Sequence, residues 1–322
     1  MACVPSGGAL LAKVYGVASM QAVTLAVALP CCVALAGIWI WADRSGRKEL
    51  AAALTIGLAG GFLGTVAYDV IRLPFLAAGQ RVFAPISAYG VWIAEASSSS
   101  RFTEVIGWLY HFSNGITFGI MYALFMRNRH WALAIAWAFV LETIAILSPF
   151  APIFSLSGNY AALGIAYLGH VAYGVPLGWL VYRWKNMKLP NWLRWTAILL
   201  GCAAIAGPLV SPEAIERDGR AAEGEFRVEG ERLNPDWLRI ERGGKVRVHN
   251  PGAEYVKVRV RQNDMTIDVS AGKKDTLSFA APGIYQVFIE TERRSRSSFV
   301  IVEPVEEFQG WSRRPPGPEA IL

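Results

Sequence analysis

The chain has 322 residues, a formal net charge of +6, 53% hydrophobic residues and only 17% charged residues, with a mean hydropathy of +0.33. Water-soluble domains carry about 25% charged residues, so this composition excludes a wholly soluble chain and points to a membrane protein. Four cysteines, Cys3, Cys31, Cys32 and Cys202, all precede residue 213. The rest of the chain can therefore hold neither a disulfide framework nor a thiolate metal site.

Charge divides the chain near Pro212. Residues 1–212 hold 13 Lys/Arg and 6 Asp/Glu, and residues 213–322 hold 18 and 19. The first part is read as a transmembrane domain of six helices, because a span needs about 20 apolar residues. The expected spans are 17–42, 50–73, 103–126, 130–150, 159–183 and 192–211. The residues before the first span lack a basic stretch and a cleavage site, and read as its approach rather than a removed signal peptide. Residues 75–98 carry Arg81, Pro85 and Glu95 and read as an interfacial or re-entrant segment, with Ser97–Ser100 as a flexible joint.

The loops at 43–49, 127–130 and 183–194 are basic, whereas 150–158 is uncharged. Positive charge stays on the cytoplasmic side, so both termini and the residues after the last span are expected outside an inner (plasma) membrane. Trp and Tyr near the span ends fit an interfacial belt.

Residues 213–223 read as a charged linker. Beyond it come eight short runs, among them "WLRIE", "KVRVHN", "YVKVRVRQ" and "IYQVFIE", most alternating in polarity and separated by turn residues such as Gly243-Gly244 and Pro282-Gly283. This pattern predicts a β-sandwich over 224–306, followed by a disordered tail at 307–322. Its charges nearly cancel, so no nucleic-acid partner is expected.

"RLNPDWLRIERGGKVRVHNPG" followed by "DVSAGKKDTLSFAAPGIYQVFIE" resembles a cupredoxin over residues 224–303. The resemblance implies an all-β, cupredoxin-like domain. Its copper ligands are not present: the first histidine position falls on Glu254, Tyr255 or Val256, and the cysteine position on Ile289-Glu290. His249 comes too early and Met265 lacks partners, so no type 1 copper centre is expected. The domain is instead expected to dock a membrane or periplasmic protein partner, or to cover the membrane part.

Inside the spans the ionisable residues are Asp69, Arg72, His111, Glu142 and His170. Charged and titratable groups are costly in a bilayer, so each is a functional candidate. His111 and His170 each open an H-x-x-x-G-x-x-x-G motif, "HFSNGITFG" and "HVAYGVPLG", placing two glycines on the histidine's helix face. The repeated motif on helices running in the same direction reads as a partial internal duplication, in which Asp69 has no clear twin.

Three functional readings follow. In the first, Asp69, His111, Glu142 and His170 bind a zinc, iron or copper ion, with Tyr68, Arg72, Tyr110, Asn114 and Tyr173 hydrogen-bonded around them. Such a site would serve metal handling or redox assembly; zinc-activated water would make it a hydrolase. In the second, His111 and His170 are axial ligands of a b-type haem, and the glycines make room for the ring. In the third there is no cofactor: the histidines make interhelical hydrogen bonds, Asp69 pairs with Arg72, and the glycines serve helix packing. Spans two to five also resemble uncharacterised bacterial multi-pass inner-membrane families with such a histidine–glycine helix, a likeness that brings no activity with it.

Overall fold

The computed structural model describes residues 5–78, 80, 82–154, 156, 159–183, 221–290 and 297–303. The expected sixth span at 192–211, most of the linker and the expected tail at 307–322 lie outside them. The chain opens with α1 (Pro5–Val14), then the long helix α2 (Met20–Arg44) and α3 (Lys48–Val70). α2 passes through a π-helical stretch, Thr24–Ala28, just before Pro30, whose missing N–H removes one helical donor. There follow α4 (Ala84–Ala94), α5 (Arg101–Met126), α6 (Leu133–Ile146) and α7 (Tyr160–Arg183).

Among the described residues three helices are long and apolar enough to cross a membrane: Met20–Arg44, Lys48–Ala77 and Tyr160–Arg183. The expectation of six is thus met in part. Helix α5 has 26 residues but is diluted by Glu104, His111, Ser113 and Asn114, and α6 has only 14 residues. The basic loops at 43–49 and 127–130 meet at one end of the bundle, where Arg127 donates to the Glu49 carbonyl at 2.7 Å and His130 lies 6.0 Å from the Tyr182 ring near the end of α7.

At the opposite end, α4 is buried along most of its length, including Tyr89, Val91 and Trp92. It crosses α5 where Gly90 meets Thr103 and Gly107 meets Ile86, contacts that leave no space for a Cβ. The segment after α4 is not a loose joint. Ser99 donates its N–H to the Trp237 carbonyl at 2.9 Å, the Ser97 carbonyl accepts from Arg239 at 2.7 Å, and Ser100 caps α5 by exchanging hydrogen bonds with Thr103.

The strands are β1 (Ala221–Glu229), β2 (Arg232–Asn234), β3 (Trp237–His249), β4 (Val256–Val260), β5 (Thr266–Val269), β6 (Lys274–Ser278), β7 (Gly283–Ile289) and β8 (Ser298–Glu303). They form one mixed sheet in the order β2-β1-β3-β8-β7-β4-β5, with β6 on β3. β1 and β8 run parallel to β3, and the other pairs are antiparallel. Two expected strands, "WLRIE" and "KVRVHN", are one. Gly243, at φ +78, bends β3 without ending it, and Gly243 and Phe279 keep backbone bonds across the bend. The first half of β3 therefore pairs with β8 and the second with β6, which wraps the sheet around a core of Phe226, Val246, Leu277, Val287 and Val300.

All six residues of β8 are buried, which requires cover on both faces. One face meets the sheet's own core. The other joins a cluster holding Trp92, Tyr110, Trp237, Phe299 and Ile301, contributed by helices and strands together. Buried charges cross this junction: Glu303 accepts from Lys13 of α1 at 2.9 Å and from Arg239 at 2.7 Å, and Arg239 also reaches Glu95 at 2.6 Å.

Candidate functional site

The motif glycines have one task, close approach of helices. A Cβ on Gly115 would lie 1.8 Å from Thr65 Oγ1, and one on Gly119 would lie 2.5 Å from the Gly61 Cα, both on α3. In the second motif, a Cβ on Gly174 would lie 2.7 Å from the Ile135 Cα, and one on Gly178 would lie 2.1 Å from the Trp131 carbonyl, at the start of α6. The glycine faces that the haem reading reserves for a porphyrin are filled by α3 and α6.

The same crossings bring each histidine to one acid. His111 Nε2 lies 3.0 and 3.2 Å from the two carboxylate oxygens of Asp69. His170 Nε2 lies 3.5 Å from Glu142 Oε2. The two pairs differ in how they are closed. Asp69 is bound by Arg72 at 2.7 Å, and that guanidinium also donates to the Val82 and Tyr68 carbonyls and stacks 3.9 Å over the Tyr68 ring. Asp69, Arg72 and His111 thus satisfy one another. Glu142 faces His170 alone among the ion pairs of the described residues. His170 Nδ1 lies 2.9 Å from the Ala166 carbonyl; a carbonyl only accepts, so Nδ1 carries a proton and Nε2 is the ring nitrogen turned toward Glu142.

Tyr68 separates the pairs, its ring centroid 5.8 Å from His111 and 4.9 Å from His170. Among the described residues no group of three or more His, Cys, Asp or Glu side chains is placed to hold a metal ion. The four candidate ligands therefore stand as two pairs flanking a tyrosine. Of the other residues expected nearby, Tyr110 donates to the Ser6 carbonyl and Tyr173 to the Gly115 carbonyl at 2.7 Å, so both hydroxyls tie backbone rather than a ligand.

Glu142, His170, His111, Tyr68 and Asn114 all line a cavity of about 970 Å³, near the upper end of the roughly 300–1,000 Å³ usual for small-molecule sites. Its far wall is not helical. Ile284, Gln286 and Phe288 of β7, with Phe299 of β8, close it from the sheet side. Sequence reasoning expected the β-domain to cover the membrane part but missed which strand forms the wall, because β7 reads as an ordinary alternating strand. It also missed Lys13, Arg239, Glu95 and Glu303, charges that look like solvated surface until the sheet is seen to pack on helices. The apolar run "SFVIV" carries the one signal of two-sided burial.

In the β-domain, the positions matching a copper site hold other contacts. Tyr255 is exposed, Ile289 is in the core, and the Glu290 carboxylate lies 3.5 Å from Lys257. His249 lies 3.8 Å from Glu225, and Met265 packs on the core.

No protein-family model matches the chain, and no curated protein matches it significantly. Solved structures similar to part of it include a cupredoxin and other copper proteins. An oxidised mutant of amicyanin is 15% identical, over 27% of this chain and 87% of its own, at a TM-score of 0.23. A purple cupredoxin from Nitrosopumilus maritimus is 18% identical, over 25% and 99%, at 0.21. A copper binding protein in its apo form is 13% identical, over 25% and 86%, at 0.21. The likeness of the membrane part to bacterial inner-membrane families finds no counterpart in these comparisons.

Proposed function

We propose that the chain is a multi-pass membrane protein that takes a borderline divalent metal ion (zinc, iron or copper) into the roofed cavity and holds it on Glu142 and His170. The observation that carries this reading is the open pair itself: an imidazole nitrogen and a carboxylate oxygen, 3.5 Å apart on the cavity wall. Metal–ligand arms of about 2.0–2.2 Å at a tetrahedral angle end about 3.4 Å apart, so the pair is already set at the bite of two ligands on one ion. Two protein ligands leave the remaining positions for water or a carried group, which suits an ion that is passed on rather than stored. Asp69 and His111 lie beyond Tyr68 and contribute charge and, on movement of that ring, further ligands.

The basic loops cluster at one end and the sheet packs at the other. Under the positive-inside rule this supports a sheet on the extracytoplasmic side, acting as the roof of the site and as a docking face for a protein partner. The matching glycine crossings and His–acid pairs support an internal duplication in which Glu142 is the twin that Asp69 lacks in sequence. The offset is shared: Gly61 to Asp69 equals Ala134 to Glu142, eight residues in each case.

The test is elemental analysis of the full chain purified in detergent from metal- and haem-replete cells. Stoichiometric metal, lost in Glu142→Gln and His170→Ala and retained in His111→Ala, is the expected result. A Soret band that disappears in His111→Ala and His170→Ala would replace this reading with the haem one. Neither signal would leave a scaffold.

A further inference from the structure

The Glu142–His170 pair occupies one corner of the cavity, and the remainder has a different chemistry. Two polar atoms on cavity-lining residues are buried with no hydrogen-bond partner among the described residues: Asn114 Oδ1 on α5 and Trp137 Nε1 on α6. One is an acceptor and the other a donor, and burying either unpaired is unfavourable. Around them the wall is apolar, formed by Leu10 of α1, Phe118 and Met121 of α5, and Ile153.

The cavity also has a side. Val140 and Ile144 of α6 line it, yet they are 52% and 49% exposed on the flank of the bundle. Helix α6 packs closely on α7 rather than on α5, which leaves a gap between α5 and α6.

We propose that this gap admits a neutral single-chain amphiphile with a hydroxyl-bearing head. The tail lies in the apolar part; a head O–H donates to Asn114 Oδ1, and a head oxygen accepts from Trp137 Nε1. The head is neutral because, at the helical end of the cavity, Arg72 is already matched by Asp69 and Glu142 disfavours an anion; the other lining cation, Arg261, stands on the sheet side beside Phe288. A monoacylglycerol and the hydroquinone of a membrane quinone share this chemistry. The proposal goes beyond the metal reading; its hydrogen-bonding atoms are on Asn114 and Trp137 rather than on Glu142 and His170, so either can fail alone.

The probes are monoolein and decyl-hydroquinone, titrated calorimetrically into the full chain in micelles, with oleate as the anionic comparison. Saturable binding of either neutral probe is expected, weakened at least about tenfold in Asn114→Leu and in Trp137→Phe, with metal content unchanged in Trp137→Phe. Whichever probe binds more tightly identifies the source. A photoreactive monoolein on the unmodified chain, where no variant can misfold, should label α5 and α6 facing the gap. Failure of both neutral probes to saturate, tighter binding of oleate, or labelling spread over the lipid-facing surface of α2 would overturn the proposal.

Discussion

Arg72 is 6% exposed, and its charge is matched through Asp69 at 2.7 Å. Removing one partner of a buried pair leaves the other uncompensated, at a cost of roughly 3–5 kcal/mol. Asp69→Asn should therefore lower stability by about that amount in thermal unfolding of the detergent-solubilised chain. Asp69→Asn with Arg72→Met should recover much of it, and an Asp69→Asn chain as stable as the parent would show that the pair contributes little. At this scale the sequence was informative where a charge interrupts an apolar run: Asp69, Arg72, His111, Glu142 and His170 all stand out that way. It was silent on pairing, because which acid meets which histidine depends on the helix crossings. It named Asn114 only as a hydrogen-bonding neighbour of the ligands and was silent on Trp137; the unpaired atoms of both exist only once the cavity does.

Between elements, glycine decides how close the helices come. A Cβ on Gly61 would lie 2.4 Å from the Gly115 carbonyl oxygen, so Gly61→Ala must push α3 and α5 apart. Overpacking of this kind costs about 1–3 kcal/mol. Because the same crossing sets the Asp69–His111 contact, that hydrogen bond should weaken as well. Gly164, within α7, has nothing within 4 Å of its Cβ position, and Gly164→Ala should be neutral or stabilising by up to about 1 kcal/mol. The unfolding midpoint should fall in Gly61→Ala and stay level or rise in Gly164→Ala; equal falls would contradict the packing role. The H-x-x-x-G-x-x-x-G spacing announced a close contact but not with what; the glycines meet α3 and the residues that open α6. The Gly243-Gly244 turn was misread for a related reason. A left-handed glycine ends a strand or merely bends it, depending on whether neighbours on both sides keep their backbone bonds, and here β6 and β8 each hold one half of β3.

At the scale of the molecule, the sheet is fastened to the helices through Glu303. Burial would raise its carboxyl, but Lys13 and Arg239 outweigh burial and hold it down at about 2, below the ordinary 4.5. A depressed carboxylate stabilises fully above its unfolded value and loses that contribution as pH falls through its folded one. Docking of the sheet should thus hold above about pH 4.5 and fail progressively toward about 2. Hydrogen exchange of β8 and α1, corrected for intrinsic rates, reads this directly, and Glu303→Gln should loosen both at neutral pH. Protection of both elements persisting to pH 2 would place the fastening elsewhere. The division into a membrane part and a β-domain was legible from charge alone, but the intimacy of their contact was not, because the cover on β8 comes from α1 and α4, far away in sequence. The central claim is that Glu142 and His170, under this roof, hold a metal ion. X-ray absorption of the Co²⁺-loaded chain tests it most directly. A shell of oxygen and nitrogen donors with one imidazole, abolished by His170→Ala and unchanged by His111→Ala, is the predicted result; a shell that survives His170→Ala would contradict it.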